Sequence, residues 1–100
     1  MSDRVYTQDE VFTAVRRLLK KYHAERAILF GSYARQEADA SSDIDLIVIG
    51  GIKFDPTDVF CIAEELHRAL GKPVDVYELR ELNVGSAFYD AVMAEGVQIA

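Results

Sequence analysis

Two carboxylates one residue apart, Asp43 and Asp45, stand at the mouth of an apolar run, Leu46 to Ile49. Alternate residues of an extended chain share a face, so both acids project to one side and Ile44 to the other. Their Cα atoms lie roughly 6.5 Å apart in that geometry. At about 6 Å and an effective dielectric near 20, two such charges repel by about 2–3 kcal/mol. Hard divalent cations relieve that repulsion: Mg²⁺ takes carboxylate oxygens at about 2.1 Å and keeps phosphates and waters as its other ligands. Upstream, with ten residues between them and Asp43, Gly31-Ser32 stop another apolar run, Ala27 to Phe30. Glycine lets backbone approach a ligand closely, and a serine opening a helical turn leaves unpaired N–H groups facing outward. Ser32 also reads as a plain N-cap. An anion cradle and a carboxylate pair joined by one loop suit a nucleoside triphosphate with its metal.

The elements that must hold these residues follow from periodicity and punctuation. Thr7-Gln8-Asp9-Glu10 forms a capping-box pattern, and Val11, Val15, Leu18, Leu19 and Tyr22 recur at helical spacing, predicting a first helix from about Gln8 to Tyr22 after a lead-in, Met1 to Tyr6. Ala27–Phe30 is the first strand, Tyr33–Glu37 a short helix begun by Ser32, 39–42 a loop, and Leu46–Ile49 a second strand ended by Gly50-Gly51. Asp55-Pro56 opens a long helix with Val59, Ile62, Ala63, Leu66 and Leu70 as its buried stripe, and Gly71 stops it. Cys61 lies in that apolar pattern and reads as a buried small hydrophobe, and His67 lies beside the stripe.

Pro73–Leu79 is the third strand, with Val74 and Val76 on one face and Asp75 and Tyr77 on the other; Glu78 falls opposite Asp75. A carboxylate inside a Val-rich strand breaks the pattern. A crossover through the long helix sets this strand parallel beside the second, where Asp75 can join Asp43 and Asp45. An edge-strand charge is the other reading. Asn83 is the expected cap of a last helix reaching Glu95, with Val84, Phe88, Ala91 and Val92 apolar, and residues 97–100 form a terminal strand or tail.

Gly31-Ser32-Tyr33-Ala34-Arg35-Gln36 and Ser42-Asp43-Ile44-Asp45-Leu46 resemble the Gly-Ser…Asp-x-Asp motif of the DNA polymerase β-like nucleotidyltransferases, and the wording is similar to their minimal members. Gln36 stands where the usual wording has glycine. The resemblance spans the chain. It implies one α/β domain, 1–100, of nucleotidyltransferase fold: a small mixed sheet with packed helices, strands one and two antiparallel, two and three parallel, and the carboxylates on an exposed edge of one face. It implies catalytic, metal-holding roles for Asp43, Asp45 and Asp75 with two Mg²⁺ ions, and ATP as donor. Gly31 and Ser32 would bind phosphate; Arg35 reads, from its position, either as a surface charge or as a side chain that reaches the triphosphate or a neighbouring carboxylate. Minimal members of this kind are antitoxins paired with a HEPN-domain ribonuclease toxin, on which they adenylylate a tyrosine.

Composition narrows the partners. Seventeen acids against eleven bases give a net charge of −6. The one basic cluster, Arg16-Arg17-Lys20-Lys21, reads as a solvated helix face, so a nucleic-acid substrate is disfavoured. His23 reads as an exposed or capping residue. No apolar run approaches the roughly 18 residues of a membrane span and no signal-peptide core is present, which points to the cytoplasm. The single cysteine rules out an internal disulfide. No segment is left over to position an acceptor, so a protein partner, in a hetero-oligomer or alongside a homo-oligomer, is expected to bring it. An antitoxin that masks its toxin without chemistry, and a small-molecule nucleotidyltransferase of the aminoglycoside-modifying kind, are the alternative functions.

Overall fold

Thr7 starts the first helix as its spacing predicts. Its hydroxyl accepts from the Glu10 N–H at 3.1 Å, and the Glu10 carboxylate accepts from the Thr7 N–H at 3.0 Å. Helix α1 (Gln8–Lys21) follows and buries Val11, Val15, Leu18 and Leu19. The structure, a computed structural model, describes residues 4–99; Met1 to Asp3 of the lead-in and Ala100 of the terminal segment lie outside the described residues. The remaining elements are β1 (Arg26–Phe30), β2 (Ile44–Ile49), α2 (Asp58–Leu70), β3 (Val74–Glu78), α3 (Ala87–Glu95) and β4 (Val97–Ile99).

The four strands form one mixed sheet in the order β3-β2-β1-β4. β1 runs antiparallel to β2 and β4, and β2 runs parallel to β3, the pairing expected of a crossover through α2. Alternation sorts the two faces. Ala27, Leu29, Ile44, Leu46, Val48 and Ile99 point into the core with the buried stripes of α1 and α2. Phe30, Asp45, Ile47, Asp75 and Tyr77 share the other face by the same alternation. There Phe88 of α3 meets Phe30 and Tyr77 edge-on, with ring centroids 5.5 and 6.0 Å apart.

The long helix begins later than predicted: Thr57 holds the cap position, and Pro56 lies in the turn opened by Asp55. The Asp55 carboxylate accepts from the Thr57 N–H at 3.0 Å and the Thr57 hydroxyl at 2.8 Å, and tight turns at Pro56 and Thr57 lead into α2 proper at Asp58. Cys61 departs from expectation and is exposed. The buried stripe passes through Val59, Ile62, Leu66 and Leu70, and Cys61 lies one residue, about 100°, off Ile62. His67 and His23 are both exposed, as is the basic cluster of α1.

Two local predictions are corrected. α3 is not capped by Asn83. The Ser86 N–H donates to the Asn83 carbonyl at 3.1 Å around Gly85 at φ 84°, a left-handed residue that a helix cannot include, so the cap moves to Ser86. Of the four apolar positions assigned to α3, only Val92 is buried; Val84 precedes the helix and is 82% exposed.

The short helix predicted over Tyr33–Glu37 is a single turn. The Glu37 N–H donates to the Ser32 carbonyl at 2.9 Å and the Gln36 N–H to the Tyr33 carbonyl at 3.3 Å, with Gln36 at φ 58°. That bond pair is the Schellman helix stop, whose left-handed residue is usually glycine. Gln36 ends the helix after one turn, at the strain a Cβ brings to that conformation. Gln36→Gly therefore stabilises the protein by about 0.5–1 kcal/mol, since relief of strain exceeds the extra freedom of the unfolded chain. Chemical denaturation of the two proteins checks this through the midpoint at unchanged slope.

Candidate active site

β2 and β3 bring the acidic residues together. In the parallel register Asp45 pairs with Asp75, and Asp43 lies one residue ahead of β2. Asp43 and Asp75 are exposed, and Asp45 is half-buried. Burial pushes the Asp45 carboxyl above the usual carboxylate range, and the charges of Asp75 and then Asp43 push it further. Asp45 therefore lies within reach of the field of both other acids. Among the described residues none has a basic ion-pair partner.

Gly31 joins this group from the end of β1. It adopts φ 75°, and a Cβ built on it would stand 2.7 Å from Asp45 Oδ2. The position requires glycine twice, for its backbone conformation and for the carboxylate against it. The turn that follows has the donors expected of an anion cradle. Among the described residues the N–H groups of Ser32, Tyr33 and Ala34 have no acceptor, because the turn's bonds start at the Arg35 N–H. The Ser32 hydroxyl likewise bonds to nothing, so Ser32 is not a side-chain cap here. Tyr33 and Ala34 are buried and anchor the turn, helped by Gln8, whose Nε2 donates to both their carbonyls at 3.0 and 3.1 Å.

Arg35 does not join the carboxylates. Its Nε donates to Glu37 at 3.0 Å, and Nη1 lies 3.6 Å from Glu95 at the end of α3. Glu78 falls on the opposite face, as its place in the alternation requires. It is buried and accepts from the Arg80 N–H and Nε. Lys72, which no local sequence signal marks, is 1% exposed and donates to the Ala40 carbonyl at 2.9 Å. Phe88, expected on the apolar face of the last helix, is the ring that bridges Phe30 and Tyr77 beside the acids. Alternation marks Phe30 and Tyr77 as lying on the acids' face; nothing local distinguishes Lys72 from a surface lysine.

The donor set suits Mg²⁺ in kind: oxygen ligands only, with negative charge that no basic side chain among the described residues pairs with. Among the described residues no three acidic, histidine or cysteine side chains form a ready-made cage. Phosphate and water oxygens would have to complete the shell, as is usual for this ion. Asp43, Asp45 and Asp75 are the residues that would hold it.

The polymerase β nucleotidyltransferase family model matches residues 14–100. A provisionally named protein adenylyltransferase of Methanocaldococcus jannaschii is 35% identical over 82 residues, 82% of this chain and 86% of that protein. Two crystallographic relatives share the fold. A toxin–antitoxin structure with AMP-PNP has a TM-score of 0.76 at 26% identity, covering 89% of this chain and 72% of that one. A complex of tri-AMPylated Shewanella oneidensis HEPN toxin with its MNT antitoxin has a TM-score of 0.71 at 25% identity, covering 94% and 72%.

The raised Asp45 carboxyl has a measurable consequence. The folded state holds that proton more tightly than the unfolded chain. In the window between the ordinary carboxylate value and the raised one, metal-free protein therefore loses stability as pH rises. Asp45→Asn removes this loss. With chelator present, the variant melts above wild type at neutral pH, and the gap narrows as pH falls through the window. Melting curves over a pH series check it; a gap independent of pH would contradict the assignment.

Proposed function

The chain belongs to the polymerase β nucleotidyltransferase family, and we propose that it transfers AMP from ATP to a tyrosine hydroxyl of a partner protein, a ribonuclease toxin of HEPN type for which it is the cytoplasmic antitoxin. The observation that carries this reading is the meeting of Asp45 with Asp75 across β2 and β3, against the Gly31 turn and its unused N–H donors. The M. jannaschii relative supports protein adenylylation, and the HEPN–MNT complex supports the class of partner.

In this reaction the acceptor oxygen attacks the α-phosphorus, a new P–O bond forms, the bond to the bridging oxygen breaks, and pyrophosphate leaves. Two Mg²⁺ ions, when bound, supply activation of the attacking oxygen and neutralisation of the leaving charge. Asp43, just ahead of β2, and Asp45, on it, would hold the ions. Asp75 completes the acidic group from β3 and is placed to take the hydroxyl proton or to serve as a ligand. The Ser32, Tyr33 and Ala34 N–H groups and the Ser32 hydroxyl bind terminal phosphate oxygens, fixed donors that need no rearrangement as charge develops. Arg35, held by Glu37 and Glu95, reaches phosphate only by exchanging those exposed pairs, each worth about 1 kcal/mol or less.

Two measurements test the proposal. Ser32→Ala removes a hydroxyl with no protein partner, so stability changes by less than about 0.5 kcal/mol while ATP binds more weakly. Lowered melting with unchanged ATP affinity would make Ser32 structural. For the reaction, the protein is incubated with its HEPN-type partner, ATP and Mg²⁺, and the partner is weighed by intact mass spectrometry. One or more AMP units are gained, and the double variant Asp43→Asn Asp45→Asn slows the gain by roughly 10²-fold or more, the loss of several kcal/mol of charge stabilisation. Neutralisation of the toxin with no mass gain, equally by that variant, would leave binding alone as the function.

A further inference from the structure

Lys72 is a charged side chain in an unexpected place. It is 1% exposed, in the short link between α2 and β3, and its Nζ donates to the Ala40 carbonyl at 2.9 Å across 32 residues of chain. Burying an ammonium costs more than burying a methionine of similar length, so packing alone does not account for it. Its target is informative. Ala40 belongs to the 39–42 loop, whose residues 39–41 are exposed. Among the described residues the loop's other hydrogen bonds run between its own members: Asp39 accepts from the Ser41 N–H at 2.9 Å, the Ser41 hydroxyl at 2.8 Å and the Ser42 N–H at 3.1 Å. The Lys72 charge also acts on Asp39, helping hold its carboxyl below the usual range after the larger effect of Ser41.

The two ends of this bond have matching places in the chain. Ala40 precedes Asp43 by three residues, and Lys72 precedes Asp75 by three. The Lys72 backbone is itself secured. Its carbonyl lies 2.8 Å from His67 Nδ1 on α2, and the next carbonyl, that of Pro73, accepts from the Ile44 N–H at 3.0 Å. The loop that delivers Asp43 is thus tied to the link that delivers Asp75. We propose that Lys72 is a positioning residue for the nucleotidyl-transfer site, clamping the 39–42 loop so that Asp43 is presented at a set distance from Asp75. Asp45, inside β2, is placed by the sheet; Asp43, outside it, depends on the clamp. This inference rests on the function proposed above.

Groups that orient ligands from behind typically change metal affinity by about 10–100-fold when removed. Lys72→Met keeps the length of the side chain and removes the donor. Binding of Mn²⁺ is titrated in the presence of a non-hydrolysable ATP analogue, and amide hydrogen exchange is followed over residues 41–44. Lys72→Met raises the half-saturating Mn²⁺ concentration about ten-fold and speeds exchange at these amides, while transfer at saturating metal stays near wild type; Lys72→Arg recovers part of the affinity. Ile62→Val, a core change that lowers melting without touching the loop, leaves metal half-saturation unchanged. If Lys72→Met lowers melting as Ile62→Val does and binds Mn²⁺ like wild type, the clamp is wrong. Should Lys72→Met not fold, exchange in metal-free wild type decides: protection of residues 41–44 comparable to β3 supports the clamp, and exchange as fast as in unstructured chain overturns it. Wild-type protein that binds no Mn²⁺ at all would instead remove the proposed function, and the clamp with it.

Discussion

Across the ladder between β2 and β3, Asp45 stands beside Asp75, with Asp43 just beyond the strand end and, among the described residues, no basic side chain paired with any of them. Repulsion between such neighbours is worth a few kcal/mol at most in a half-solvated setting. The opposing account lies on the other side of the same strand. Ile44, Leu46 and Val48 are fully buried, and each such side chain contributes about 1.5–3 kcal/mol relative to exposure. Three alternate residues therefore outweigh the acids between and beside them. The strand can hold an unfavourable charge arrangement because its other face is committed to the core.

The same economy governs the turn after β1. Tyr33 and Ala34 are buried, and Gln8 binds their carbonyls from the first turn of α1. Those anchors fix the short turn while its first N–H groups remain without acceptors. Buried backbone donors normally find partners; among the described residues these three, beside the acids, have none. The donors and the carboxylates complement one another, the first set recognising anions and the second cations, and Gly31 allows them to approach. A metal–triphosphate presents both kinds of charge.

Much of this was legible because strand alternation is strict. Asp43, Asp45 and Asp75 break an apolar pattern at positions whose facing follows from a period of two, and the parallel placement of β3 follows from the crossover through α2. Capping chemistry was legible at Thr7 and Gly71, where local residues decide. The reading failed where two local signals competed. Asn83 and Ser86 are both good caps, and the left-handed backbone at Gly85 between them selects the second. Cys61 was misplaced because a neighbour of a stripe lies well off its face in a helix. Gln36 hid a glycine-type conformation behind a helix-compatible side chain. Lys72 was invisible because its partner is far along the chain, and only the assembled fold shows a lysine turned inward.

The sheet order carries a consequence for how the molecule is made. Every residue of the acidic site and its turn lies between Gly31 and Asp75, on β1, β2, β3 and their connections, whereas β4 joins the outer side of β1 from far downstream. A ribosome thus delivers the complete site before the strand that seals β1 has been synthesised. Until then β1 presents an unpaired edge, with Phe30 not yet covered by the Phe88 ring. Pairing of β1 with β4 closes the longest loop of any strand pair in the sheet, a slow kind of contact to form. The nascent chain passes through a stage in which chemistry-bearing residues are assembled on a sheet still open to pairing with other chains.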